Sequence, residues 1–205
     1  MADNACMTEK IADKLTGSMV TKGLIDKEDQ AIYAYNIRVM TEQITAFLLL
    51  ILIGILTGSL TGSLVFLGVF FALRRCTGGY HCSSFGGCLL LSVITMIPTF
   101  LSGGITDCVT PWYYMLLLPS SAFIFMTGAV NHPSMDWSGE ELDLAASHAR
   151  RTLLTVLSVL ILLFIAGTGS VLTFCMSRGI VLDAVSIIFA KISKQEVSHY
   201  EQQAV

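Results

Sequence analysis

His81 and Cys88 stand seven residues apart in the run Arg74-Arg75-Cys76-Thr77-Gly78-Gly79-Tyr80-His81-Cys82-Ser83-Ser84-Phe85-Gly86-Gly87-Cys88, which lies between long apolar stretches. A histidine near a cysteine supplies a proton carrier and a nucleophile. The imidazole draws off the thiol proton, and the thiolate is the attacking species. Cys88 is the best placed of the nearby cysteines, because it opens an apolar segment behind Ser83, Ser84, Gly86 and Gly87. Helix N-terminal N–H groups and the macrodipole favour a thiolate there. The same N–H groups can stabilise the oxyanion of a tetrahedral intermediate. Ionisable groups at a membrane edge are functional candidates by default.

Spacing adds a condition. Seven residues put His81 and Cys88 on one helical face but about 10 Å apart along a continuous helix. A general base works within about 3 Å of its proton, or through one water. A break between the two residues is therefore expected, and Gly86-Gly87 is the expected place. Other chemistry stays open. Cys76, His81, Cys82 and Cys88 have zinc-ligand types, but no Cys-x2-Cys pair is present, so no metal and no cofactor is expected. A re-entrant Gly-rich loop in a small transporter or channel is the other alternative.

The elements that must position these residues are membrane helices. The 205-residue chain is 54% hydrophobic and 13% charged, with a mean hydropathy of +0.71. That composition belongs to an integral membrane protein. The net charge of −3 gives no reason to expect nucleic-acid binding. Residues 1–42 read as amphipathic N-terminal helices, with Gly23 as a stop between them. Apolar stretches follow at 44–58, 60–73, 88–101, 112–130, 153–175 and 179–190. The first two would make one helix of about 45 Å against about 30 Å of hydrocarbon. The small polar residues from Gly58 to Ser63 divide them, so a hairpin of two short helices is expected. The fold class is all-α: a polytopic protein of about six transmembrane or half-membrane helices. Residues 43–192 form the membrane domain, with a catalytic segment at 74–88 and a polar loop at 131–151. Residues 193–205 are a tail.

Basic residues orient this arrangement. With six crossings and the N-terminus inside, the lysines and arginines lie on the cytoplasmic side, Arg178 excepted, as the positive-inside rule requires. Loops at 102–111 and 176–178 then face outward. Cys6, Cys76, Cys82 and Cys88 fall where thiols stay reduced. Cys108 and Cys175 fall near the outer face, where a bridge is conceivable but packing is the commoner role. Asp107 and Asp183 are candidate polar partners, although each lies near a span end, where solvation would also account for it. Gly103-Gly104 and Pro111 read as loop punctuation, and Pro98 and Pro119 as kinks. Gly54, Gly58 and Gly62 allow close helix packing and a possible homodimer.

Arg-Arg-x-x-Gly-Gly-x-His, with a cysteine seven residues after the histidine, resembles the accessory gene regulator protein B (AgrB) family. These are membrane cysteine endopeptidases that process quorum-sensing propeptides in Gram-positive bacteria. The length, the apolar stretches and the Asn131-His132-Pro133 loop extend the likeness over most of the chain. The resemblance implies His81 as catalytic histidine and Cys88 as nucleophile, with Arg74 and Gly79 at further motif positions. Cys82 departs from the pattern, standing where a small residue, commonly alanine, is expected. The implied substrate is an AgrD-like propeptide with an amphipathic leader, a cysteine or serine in its middle and an acidic tail. Arg74, Arg75, Arg150 and Arg151 are the candidates to hold that tail by charge-assisted hydrogen bonds. Juxtamembrane arginines also set topology and meet anionic lipid.

Overall fold

The computed structural model describes residues 7–80, 85–100, 105–131, 138–167 and 170–193; the side chains of residues 7–9, 85, 88, 98–100, 105–110 and 170 lie outside the description. The described residues form seven α-helices: α1 Met7–Thr21, α2 Gln30–Leu56, α3 Leu60–Thr77, α4 Phe85–Phe100, α5 Ile105–Thr127, α6 Gly139–Ile165 and α7 Ser170–Ile192. Of these, α2, α3, α6 and α7 are long and apolar enough to cross a membrane. The chain divides into two compact units, Met1–Leu50 and Ile51–Val205.

In the first unit, α1 ends where Gly23 takes φ +67. Leu24 N–H donates to the Met19 carbonyl and Gly23 N–H to the Val20 carbonyl, each at 3.0 Å. This pair of bonds is the Schellman stop that a left-handed glycine permits. The second amphipathic segment and the first apolar stretch are one unbroken helix, α2. Arg38 Nε meets Glu42 Oε1 at 3.2 Å one turn along it.

In the second unit, the expected break between the first two apolar stretches is present, but the helix before it is long rather than short, since α2 has 27 residues. Gly58 at φ +69 ends α2 through the same bond pattern, with Ser59 N–H reaching the Gly54 carbonyl at 2.8 Å. Residues 61–63 are not part of the turn but the first residues of α3. A Cβ at Gly54 would stand 2.6 Å from Ser63 Oγ, so the absence of a side chain lets the start of α3 approach the end of α2.

Helix α7 is the centre of this unit. It packs on α3, α5 and α6, and 67% of its apolar window is buried. Its face is lined with small residues, as lipid-embedded helix contacts require. Gly179 lies where a Cβ would be 2.8 Å from Val69 Cγ1 of α3. Leu73, Ile124, Leu153, Ile180 and Ile187 complete the core from four helices. Outward, Leu90, Leu118, Met126, Leu162 and Ile165 are exposed, an apolar surface suited to lipid.

Three expectations are corrected here. The outer loop expected at 176–178 is the interior of α7, and the break before that helix falls instead after Ile165, where Gly167 adopts φ +65. Arg178 is fully buried, not in a loop. Its guanidinium lies 4.9 Å from the Phe66 ring centroid, 5.6 Å from Phe174 and 5.8 Å from Tyr113. It also donates to the Thr95 carbonyl. Ring quadrupoles replace the water that such a charge would otherwise need. Pro111, expected in a loop, lies within α5.

Candidate active site

The Gly-rich run starts as the last turn of α3. Thr77 is the final helical residue, and Gly78 turns the chain out at φ +70, ψ −128. Gly79 follows at φ +107. Both values are rare for residues with a side chain. Close approach adds a second reason for glycine. A Cβ at Gly78 would stand 2.7 Å from the Val130 carbonyl oxygen, and one at Gly79 would overlap the Arg74 guanidinium.

The segment that leaves α3 is tied down on two sides. Val130 N–H, just beyond α5, donates to the Thr77 carbonyl at 2.9 Å. Tyr80 N–H donates toward the Ser186 carbonyl at 3.1 Å and toward its Oγ at 3.2 Å. Arg74 donates through one guanidinium nitrogen to Ser186 Oγ and through the other to the Tyr80 carbonyl. One arginine therefore bridges α7 and the segment. Thr77 Oγ1 lies 3.0 Å from Asp183 Oδ1 and 3.1 Å from the Leu73 carbonyl, two acceptors for its one proton.

Asp183 is fully buried, and its Oδ2 has no hydrogen-bond partner among the described residues. The nearby cation acting on it is Arg74. A lone carboxylate at this depth is costly without compensation. Its place three residues before Ser186, on the same face of α7, aligns both with the 77–80 segment. Of the two readings the sequence left for Asp183, polar partner and solvated span end, the structure bears out the first, since it is buried and accepts from Thr77. An acidic residue inside the 179–190 apolar stretch was the available signal.

His81 and Cys82 lie outside the described residues, so the His81–Cys88 separation does too. The backbone of Cys88 is the fourth residue of α4, within its first turn. The expected break at Gly86-Gly87 is corrected. Both glycines are helical, and the described departure from helix is at residues 78–80. Helix α4 is described from Phe85, and among the described residues Gly86 has no close neighbour that would force a bend.

The candidate arginines separate into two pairs. Arg74 is half-buried in the network. Arg150 donates from Nε to the Phe125 carbonyl at 3.0 Å and lies 5.8 Å from that ring centroid. Arg75 and Arg151, from α3 and α6, line one cavity of about 440 Å³ together with Cys76 and His148. Among the described residues, neither Arg150 nor Arg151 pairs with Glu140, Glu141 or Asp143. Glu141 instead caps α6, accepting from Ser138 N–H at 2.9 Å while Ser138 Oγ accepts from Glu141 N–H at 3.4 Å, a capping box. Cys76 and the buried Cys175 are free thiols; the Cys108 side chain lies outside the described residues.

No curated protein and no solved structure matches this chain. The family model for accessory gene regulator B matches residues 8–190, nearly the whole chain and all of the network just described. An all-helical membrane bundle agrees with that match, and the chain belongs to the accessory gene regulator B family.

Proposed function

We propose that this protein is a membrane cysteine endopeptidase that removes the acidic tail of an AgrD-like propeptide and enables cyclisation of the remainder. Family membership carries the coarser part: a role in the accessory gene regulator system, with an AgrD-like propeptide as substrate in a membrane setting. The observation that best supports the finer part is the anchored segment. Rigid ties at residues 77–80 lead directly into His81, and Cys88 follows in the first turn of a helix. A nucleophile on a helix and a base held by packed elements is what precise proton transfer needs.

In this mechanism, His81 takes the Cys88 thiol proton and the thiolate attacks the carbonyl carbon at the end of the signal segment. The oxyanion is stabilised by N–H groups of the first turn of α4. The C–N bond breaks, His81 returns its proton to the leaving amine, and the peptide stays as a thioester on Cys88. The peptide's own cysteine then attacks as thiolate. Cys88 leaves as thiolate, and the product is a thiolactone, or a lactone where a serine attacks. Thioester exchange largely conserves bond energy, so no ATP is needed. Water must be kept out, because it would hydrolyse the intermediate.

Tail recognition is assigned to Arg75 and Arg151, whose shared cavity supports it. Arg74, Gly79 and Arg150, the other candidates, sit within protein contacts that suit a framing role. Crossing by α4 and α5 as well as the four long apolar helices would leave the basic residues on one side, with Arg178 buried. That distribution supports a cytoplasmic N-terminus and active site.

Co-expression with the propeptide tests this reading. Cys88→Ala and His81→Ala should each abolish tail removal while the protein still inserts, and Cys82→Ala should still cut. Cleavage that survives Cys88→Ala and is lost in Cys82→Ala would show that the wrong nucleophile has been assigned.

A further inference from the structure

We propose that Asp183 and Ser186 of α7, acting with Arg74, are positioning residues that set His81 by clamping the segment just before it. The inference rests on the peptidase reading above and adds a third element to its site. Three observations carry it. Tyr80, the residue next to His81, is held at both its N–H and its carbonyl: the N–H by Ser186, the carbonyl by Arg74. Arg74 is itself fixed by Ser186 Oγ. One turn back on α7, the buried Asp183 accepts from Thr77 at the base of the same segment.

The physical reason for such a device is chain freedom. Gly78 and Gly79 give the turn its required backbone angles, and they also give it the largest conformational entropy of any residue type. Left to itself, a Gly-Gly link would let the following histidine wander. A peptide unit tied at N–H and carbonyl to a rigid helix removes that freedom. Asp183 fixes the base of the segment by accepting from Thr77. Helix α7 suits the task because it is the most enclosed of the four long apolar helices. A misplacement of about 1 Å can cost about 10²-fold in rate, so a clamp outside the reacting atoms can dominate turnover.

The test uses the full-length protein in membranes, with a synthetic propeptide and with iodoacetamide. Cys88 alkylation is read by mass spectrometry of its own peptide. Asp183→Ala and Ser186→Ala should lower kcat for tail removal by about 10- to 100-fold while KM moves less than about twofold. Asp183→Asn, which can still accept from Thr77, and Ser186→Thr, which keeps the hydroxyl, should recover part of that loss. Each loss variant should slow Cys88 alkylation about as much as His81→Ala does. Combining Asp183→Ala or Ser186→Ala with His81→Ala should slow alkylation no further, because one pathway has already been lost.

Wild-type kcat and alkylation in inserted Asp183→Ala and Ser186→Ala protein overturns the proposal. So does an additive loss in the double variants, which marks a general structural effect. Should Asp183→Ala fail to accumulate, Ser186→Ala decides, since the Ser186 carbonyl still holds Tyr80 N–H. A separate outcome isolates the peptidase reading: if His81→Ala leaves both cleavage and Cys88 alkylation intact, that reading fails before the clamp is in question.

Discussion

Gly79 and Gly86 look alike in the sequence, both half of a Gly-Gly pair beside the reactive residues, yet their surroundings differ completely. Gly79 has φ +107, and a Cβ there would enter the space of the Arg74 guanidinium and lie 2.8 Å from Ser186 Oγ. Gly86 is helical, with nothing within 4 Å of where its Cβ would be. Gly79→Ala should therefore be severe. The backbone cost alone is about 1–3 kcal/mol, and the clamp on Tyr80 is broken with it. Propeptide cleavage should fall at least tenfold in protein that still reaches the membrane. Gly86→Ala should leave cleavage near wild type, since alanine is the better helix former by about 0.5–1 kcal/mol. Measured side by side, the two rates locate the essential bend. Loss in Gly86→Ala and not in Gly79→Ala would restore the hinge to Gly86-Gly87. The same contrast shows what a sequence can convey about a site. His81 and Cys88 stood out because their chemistry is carried by residue type and spacing. Ser186 did not, because its contacts come from α7 lying against the end of α3, between residues more than one hundred positions apart.

At the scale of the elements, breaks governed by local chemistry were legible and breaks governed by packing were not. Gly23 and Gly58 end their helices through bonds made within six residues, so composition announces them. Gly179, after Arg178, reads only as the start of the last apolar stretch. It is instead the point where α7 meets Val69 of α3, and only the neighbouring helix explains it. Arg178 misled for a related reason: three rings from α3, α5 and α7 shelter a charge that hydropathy assigns to a loop. The α3–α7 contact makes a direct prediction. Gly179→Ala places a Cβ 2.8 Å from Val69 Cγ1 and 3.3 Å from Phe70 N, and the backbone atom cannot swing away. Overpacking of this kind costs about 1–3 kcal/mol. The melting temperature of the detergent-solubilised protein should drop, and Val69→Ala should restore part of it. A Gly179→Ala protein as stable as wild type would mean that α3 and α7 have room the bundle does not show. Because α3 carries Arg74 and α7 carries Ser186, the same substitution should also slow cleavage.

For the whole molecule, the proposed orientation and the proposed tail recognition both rest on charge. With six crossings, residues 131–151 and the N-terminus share the cytoplasmic face, and residues 166–169 lie outside. Single cysteines introduced at Ser138 and Thr168 should react with a membrane-impermeant maleimide from opposite sides of oriented vesicles; labelling of both from one side would remove a crossing between them. On that topology the same face holds the Arg75–Arg151 cavity, and the proposed acidic tail is a ligand its charge suits. Exposed arginine–carboxylate pairs contribute about 0.2–1 kcal/mol each, so Arg75→Ala and Arg151→Ala should each raise KM up to about fivefold, with little change in kcat. The effect should shrink as salt is raised, since charges at an open surface are screened over about 10 Å at 0.1 M. Arginines at such positions also orient helices, and a lower activity alone would not separate the two roles. Charge reversal does. Arg75→Glu with Arg151→Glu should bind the natural tail poorly and accept a propeptide whose tail acids are replaced by lysine. A protein whose orientation had failed would process neither. If the reversed protein inserts correctly, and tail charge makes no difference to its KM, these two arginines serve topology and the tail is held elsewhere.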